Sequence, residues 1–147
     1  MQKPPLDALS GQLTPEGHIL PVRIYFEDTD FSGVVYHARY LHFFERGRSD
    51  FLRLKGVHHN ELQEGLYGEP LFFVVKSMTL DFIKPAKIDD VVHVTTQVES
   101  IKGVRVLMKQ LIEKENQLIA TADVSVVLIN QNGRPKRIPD KLFQALT

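Results

Sequence analysis

Three acidic residues cluster early in the chain, in a pattern that could support hydrolytic chemistry. Glu27, Asp28 and Asp30 are close neighbours, and Gly33 and His37 follow within a few residues. An ionised carboxylate can attack an electrophilic carbon itself, or it can take a proton from an attacking water. An aspartate upstream of a helix also commonly caps a turn or the helix start. Spacing alone leaves catalysis and capping both open.

A long helix is expected directly after the acidic segment. From about residue 37 to residue 55, apolar residues recur at helical spacing, and Lys55-Gly56 is typical of a helix end. Backbone N–H groups in a helix's first turn lack helical partners, so they could hold the carbonyl oxygen of an electrophile that the carboxylate attacks. The predicted apolar stripe is Tyr40, Phe43, Phe44, Gly47, Phe51 and Leu54, with Arg46, Arg48, Arg53 and Lys55 on other faces.

The sequence lacks the motifs of several other enzyme classes. It contains no GxSxG, HExxH, P-loop or GxGxxG pattern, and it has no cysteine. The histidines do not indicate a metal site, because His37 and His42 face different sides of the helix and His58 and His59 are adjacent. We therefore expect neither a metal nor a cofactor.

Several β-rich runs are separated by short, turn-like segments. Residues 71–83, 91–99, 104–112 and 118–129 follow the helix, and residues 22–27 precede it. Short connections predict antiparallel neighbours, including across residues 84–87. The only long helix is then available to cover the apolar face of the sheet. The pattern predicts an α+β fold in which a curved antiparallel sheet of about five strands wraps one long helix.

Length and composition are those of one globular domain. The chain has 147 residues, 43% hydrophobic and 24% charged, with 18 basic and 18 acidic residues. No global charge attracts nucleic acid. The proline-rich residues 1–21 are expected to form a flexible tail before a domain spanning residues 22–147. Neither a signal peptide nor a membrane span is evident, which makes the cytoplasm the default expectation.

The segment RIYFEDTDFSGVVYHARY, from Arg23 to Tyr40, resembles the signature of the 4-hydroxybenzoyl-CoA thioesterase family of hotdog-fold proteins. That signature has a basic residue and a strand before Thr-Asp, then Gly-Val-Val, a His and an aromatic residue. The similarity continues through ERGRSDFLR, FVVKSMTLDFIKPAKIDD and PKRIP, and so covers about residues 22–140. Within the family, the chain most resembles the acyl-CoA thioesterase branch that is encoded with the Tol-Pal cell-envelope system.

The resemblance implies a hotdog fold and hydrolysis of an acyl-CoA, or of an acyl carrier protein thioester. It assigns the catalytic carboxylate to Asp30, as nucleophile or general base, and the oxyanion donor to the backbone N–H of His37. The His37 side chain is expected to be structural or to line the site. In this family the active site lies between two protomers, which agrees with the homo-oligomer, dimer or tetramer, expected from an exposed sheet edge.

The resemblance also implies substrate contacts on later strands, although the benzoyl enzymes of the family carry a denser basic cluster there. The implied contacts are Phe73, Val74 and Val75 for the acyl group, and Lys102, Gly103, Val104 and Arg105 for CoA. Further basic residues could meet a CoA phosphate or an acyl carrier protein, but a solvated basic end is the more common outcome. These are Arg134, Lys136 and Arg137.

Two other functions remain open at this point. A hotdog hydratase would need an acid and a histidine five residues apart, but Val35 stands at that place after Asp30. A binding or scaffold protein in cell-envelope or phospholipid-enzyme assembly would keep the fold, with weak thioesterase activity. The presence of Thr29, Asp30 and Gly33 favours the enzyme.

Overall fold

The computed structural model describes residues 2–147, in which one antiparallel sheet packs against a long helix. The strands are β1 Gln12–Leu13, β2 His18–Arg23, β3 Leu71–Phe82, β4 Val91–Lys102, β5 Arg105–Lys114 and β6 Gln117–Asn130. The helices are α1 His37–Leu54, α2 His59–Gln63 and α3 Asp140–Leu146, and short 3-10 turns span Asp7–Ser10 and Phe26–Asp28. None of the helices formed by residues 2–147 has the length and hydropathy that crossing a membrane requires.

Helix α1 agrees with the prediction from its periodicity. It is followed by Lys55 and by Gly56, whose φ of +80° stops the helix in the left-handed region. A Cβ on Gly47 would lie 2.8 Å from Cγ1 of Val94, so the absence of a side chain lets the helix approach the sheet closely. The aromatic residues Phe43 and Phe44 are fully buried beneath the helix. Helix and sheet therefore form one core.

Two residues of α1 lie on other faces than the sequence analysis assigned. Arg48 was expected away from the core, but it is buried, and Leu54 was expected in the core, but it is 37% exposed. The reason is the 3.6-residue period: Phe44, Arg48 and Leu52 are spaced by four and lie on one side of the helix. Arg48 thus belongs to the helix face that packs on the sheet.

The sheet has the order β1-β2-β4-β5-β6-β3. Neighbours β4–β5 and β5–β6 are antiparallel hairpins, as predicted. The prediction that residues 84–87 join antiparallel neighbours is wrong, because β3 pairs with β6. The segment between β3 and β4 is instead hydrogen-bonded to residues before α1. The N–H of Val35 donates to the carbonyl of Ala86 at 2.9 Å, and the N–H of Asp89 donates to the carbonyl of Ile24 at 2.9 Å. These bonds lead the chain across to β4 beside β2.

The expectation of little regular structure before residue 22 is also wrong. Strand β2 begins at His18, pairs with β4 over residues 18–23, and alternates buried and outward side chains. Register shifts in β3, β4 and β6 bend the strands, as bulges do. A bent antiparallel sheet around one long helix is the hotdog arrangement, which confirms the expected α+β fold, with six strands in place of about five.

Candidate active site

The acidic segment forms a small closed loop between β2 and α1. Thr29 and Val35 face each other in an isolated antiparallel bridge. The N–H of Asp30 donates to the carbonyl of Val34 at 3.0 Å, and the N–H of Gly33 donates back to the carbonyl of Asp30 at 3.0 Å. Gly33 has a φ of +84°, which glycine adopts without steric cost. The backbone of Asp30 is therefore held in place from both sides.

The two carboxylate oxygens of Asp30 differ in their surroundings. Oδ1 accepts hydrogen bonds from the Ser32 hydroxyl and, at 2.8 Å, from the Ser32 N–H, whereas no residue in the described range 2–147 donates to Oδ2. The Ser32 hydroxyl and N–H lower the pKa of Asp30 below its ordinary 3.8, aided by the nearby His37 ring and opposed by partial desolvation. The carboxylate is thus ionised at neutral pH, and one oxygen is free to act.

The start of helix α1 offers an unoccupied donor close to this loop. Tyr36 is the N-cap residue and makes no side-chain cap, and the first turn contains no acidic residue. Among residues 2–147, no acceptor is found for the backbone N–H of His37. The His37 ring is exposed and lies with its centroid 4.5 Å from that of Tyr36 and 6.1 Å from that of Phe82. The free N–H and the helix dipole favour an oxygen carrying negative charge here.

Asp28 is occupied by structural contacts that Asp30 does not make. It is 3% exposed, and its Oδ1 accepts from Nε and Nη2 of Arg39 at 2.9 and 2.8 Å. Its Oδ2 accepts from the N–H of Tyr25 at 2.8 Å, and its carbonyl accepts from the N–H of Tyr36 at 2.9 Å. Asp28 therefore ties the loop to the first turn of α1. Among the side chains that the structure describes, no group of three histidine or acidic residues could share a metal ion.

The predicted substrate residues lie together, but far from Asp30 in the same protomer. Val74 pairs with Val127, and Val127 pairs with Arg105, so the β4–β5 turn and the start of β3 are about two strand spacings, roughly 10 Å, apart. The His37 ring instead contacts Phe82 at the other end of β3. Phe82 lies eight positions after Val74, or about 26 Å along an extended strand. One protomer therefore has the two halves of the predicted site at opposite ends of β3.

A cavity of about 110 Å³ lies between α1 and the start of β3. Phe73 and Val75 line it, whereas Val74 points to the opposite face of the sheet in register with Val127. The other lining residues are Glu45, Arg48, Ser49, Leu52, His59, Met108 and Val126. Of the three predicted acyl contacts, two thus face this cavity and the third does not.

The β4–β5 turn has a basic neighbour that the resemblance did not assign to it. The carbonyl of Gly103 accepts from the N–H of Ile138 at 2.8 Å, so Arg137 lies beside the turn that carries the exposed Lys102 and Arg105. Lys136 is occupied, at 3.7 Å from Glu69. The only sequence signal for Arg137 was its place in the run PKRIP, which could not show which strand the run would lie against.

Comparisons with known proteins agree with this fold. Residues 24–146 match the model of the thioesterase-like superfamily. The chain is 39% identical to the acyl-CoA thioester hydrolase YbgC of Escherichia coli O6:H1 over 83% of its length and 90% of that protein, and 42% identical to the acyl-CoA thioesterase YbgC of Haemophilus influenzae over 78% and 82%. A probable thioesterase structure from Bartonella henselae has a TM-score of 0.82 at 48% identity, covering 84% of this chain and 99% of that one. The chain belongs to the thioesterase-like superfamily.

Proposed function

We propose that this protein is an enzyme that hydrolyses acyl-CoA thioesters, with Asp30 as the catalytic carboxylate. The observation that carries the proposal is the free Oδ2 of an ionised Asp30 near the unpaired N–H of His37 at the start of α1. This pairs a base or nucleophile with a donor for the developing oxyanion. The relative at 39% identity is named an acyl-CoA thioester hydrolase and the relative at 42% an acyl-CoA thioesterase, which supports the same reaction class.

The reaction follows from the roles of these two groups. As general base, Asp30 takes a proton from a water whose oxygen adds to the thioester carbon, and the carbonyl oxygen becomes an oxyanion that accepts from the His37 N–H. The C–S bond then breaks, and the proton on Asp30 passes to the departing sulfur. The products are a carboxylic acid and the CoA thiol. As nucleophile, Oδ2 would instead form an anhydride that water hydrolyses to the same products.

Two protomers are needed to complete this site. Strand β3 has twelve residues and pairs only with β6 among the strands of residues 2–147, so its other edge is unpaired. That region exposes apolar side chains: Val74 is 38%, Val75 45%, Phe82 50% and Ile83 49% exposed. A long apolar edge strand invites pairing with another chain, and a two-fold copy is the simplest occupant. We therefore infer a homo-oligomer built on a β3–β3 dimer.

Antiparallel pairing of two β3 strands exchanges their ends. The start of one strand then lies beside the end of the other, which places Phe73 and Val75 of one copy near Phe82, and hence near Asp30, of its neighbour. The acyl cavity of one copy would then adjoin the carboxylate of the other. This arrangement removes the separation of about 26 Å that one protomer leaves between them.

The basic residues beside the β4–β5 turn are suited to the phosphates of CoA. Lys102, Arg105 and Arg137 gather at the end of the sheet that also holds the acyl cavity, and Gly103, at a φ of +62°, forms the turn between the first two. Exposed cations there would bind phosphate through charge-assisted hydrogen bonds. An acyl carrier protein, whose prosthetic group has the same phosphopantetheine chemistry, is the alternative carrier. A link to the Tol-Pal system is a proposal that rests on the resemblance from Arg23 to Tyr40, and cytoplasmic residence stays the default expectation from the sequence.

The proposal is tested by a hydrolysis screen that follows release of the free thiol. The substrates are short, long and aromatic acyl-CoAs and one acyl carrier protein thioester. We expect turnover of at least one acyl-CoA well above the uncatalysed rate. Binding of acyl-CoA without turnover of any thioester would contradict the enzyme and favour a scaffold or binding protein.

A further inference from the structure

Helix α1 places a buried arginine on the wall of the acyl cavity, and the thioesterase reaction as described does not use it. Arg48 is 9% exposed and lines the cavity together with Phe73 and Val75. It lies eleven residues after His37, or about 17 Å along the helix, so it cannot reach the Asp30 loop of its own protomer. In the proposed dimer the cavity adjoins the Asp30 of the other copy. The inference below rests on that proposed function.

The protein satisfies the Arg48 guanidinium only in part. Nη1 donates to Oε1 of Gln110 at 3.0 Å, and within residues 2–147 no acceptor is found for Nε or Nη2. No carboxylate of the described residues lies within salt-bridge distance of it. Neither nitrogen is sealed in the core, since the enclosed side-chain atoms without a partner in this part of the chain are His18 Nδ1 and Ser125 Oγ. Both free donors therefore keep some exposure to solvent, and Arg48 is one of the residues that line the cavity.

A second set of contacts holds Arg48 in this position. The Nε2 group of Gln110 donates to the carbonyl of Phe44 at 2.8 Å and to Oγ1 of Thr96 at 2.9 Å, which fixes the amide and turns its Oε1 toward Arg48. Burial lowers the pKa of Arg48 from its usual range, opposed by the charge of Glu45, but an arginine stays protonated at neutral pH. Burying a cation whose hydrogen bonds are incomplete costs free energy, and a ligand oxygen can accept the hydrogen bonds that are missing.

The cavity has the size and lining to accept the end of a short acyl group. Its volume of about 110 Å³ is somewhat smaller than an engineered apolar cavity of about 150 Å³ that binds benzene, so it suits the end of a short acyl group. Met108 and Val126 give it apolar walls that suit methylene groups, while Arg48 supplies donors at one place. We propose that Arg48 is a specificity-determining residue that selects acyl groups carrying an acceptor oxygen, as a hydroxyl or a carboxylate, over plain alkyl acyl groups.

The test compares acyl-CoAs that differ only in their oxygen content. The probes are pentanoyl-CoA, 3-hydroxypentanoyl-CoA, 5-hydroxypentanoyl-CoA and glutaryl-CoA, and the readout is the ratio of each oxygenated kcat/KM to that of pentanoyl-CoA. This ratio is independent of the fraction of folded enzyme, because both values come from one preparation. We expect at least one ratio of about ten or more, the size of a hydrogen bond to a charged group. The hydroxyl and carboxylate probes distinguish the two oxygen sources.

Two variants assign the preference to Arg48. Arg48→Met should bring the ratio close to one, whereas Arg46→Met, an exposed arginine on the same helix that lies over the Phe43 ring, should leave it unchanged. Ratios at or below one in the unmodified enzyme, or a ratio that survives Arg48→Met, would overturn the inference while thioesterase activity stands. If no acyl-CoA is hydrolysed, the proposed function fails, and calorimetric Kd ratios for the same probes decide the role of Arg48 independently.

Discussion

A site shared by two protomers makes a quantitative prediction about hybrid dimers. Asp30→Asn should remove the catalytic carboxylate, and Val75→Phe should fill the cavity of about 110 Å³ with an aromatic ring. Each variant alone should therefore be nearly inactive on pentanoyl-CoA. In a hybrid dimer of the two variants, one site has both changes and the other has neither. The hybrid should therefore recover about half of the wild-type activity per dimer, as the symmetry of a two-fold interface requires.

The assay is co-expression of the two variants with different affinity tags, followed by purification on both tags and measurement of thiol release. Phe82 lies seven positions after Val75, about 23 Å along the strand, which is too far for a short acyl group to bridge inside one protomer. A site contained in one protomer would leave the hybrid with no intact copy. An inactive hybrid of normal dimer mass would thus refute the shared site, and a Val75→Phe enzyme with full activity would refute the assignment of the cavity.

Three further predictions follow from the described contacts. The double variant Lys102→Ala, Arg105→Ala should raise the KM for acyl-CoA and leave kcat nearly unchanged, because these cations bind phosphate equally in the ground and transition states. Added salt should raise the KM of the wild-type enzyme. Asp28→Asn should lower the melting temperature by weakening the largely buried pair with its arginine on α1. Because Ser32 depresses the pKa of Asp30, the acid limb of the pH–kcat/KM profile should lie below pH 3.8, and Ser32→Ala should move it upward.

Local patterns in the sequence were sufficient for the helix and for the later strands. The apolar stripe of α1 lies inside the helix and Gly56 lies directly after its C-cap residue, so both signals are local to the element that they predict. The pairing of β3 with β6 could not be predicted in the same way, because it depends on residues 83–90, which are held by Val35 and Ile24 far away in the chain. The prolines before residue 22 suggested a tail, yet Pro21 lies inside β2. Strand β1 pairs only with His18 and Ile19 of β2, so it does not reach Pro21.

The candidate site was predictable in part for the same reason. Spacing could not show which of Asp28 and Asp30 is available for catalysis, because both stand in one short segment. The difference is that Arg39, on α1, pairs with Asp28 and not with Asp30. The contacts of Asp30 with Ser32 form a local turn, so the capping interpretation is correct for Oδ1 and leaves Oδ2 available for chemistry. Arg48 was missed because the helical period was judged from apolar residues alone.

The most direct test of the account is thioester hydrolysis by Asp30→Asn beside a control acid in the same segment. Glu27→Gln is a better control than Asp28→Asn. The Glu27 side chain is 70% exposed and lies 3.9 Å from Arg39, whereas Asp28 is buried in its pair with Arg39. Loss of the carboxylate should reduce kcat/KM about a hundredfold to ten-thousandfold, with unchanged melting temperature and elution volume, while Glu27→Gln keeps most activity. An Asp30→Asn enzyme that folds normally and hydrolyses acyl-CoA at the wild-type rate would contradict the catalytic assignment.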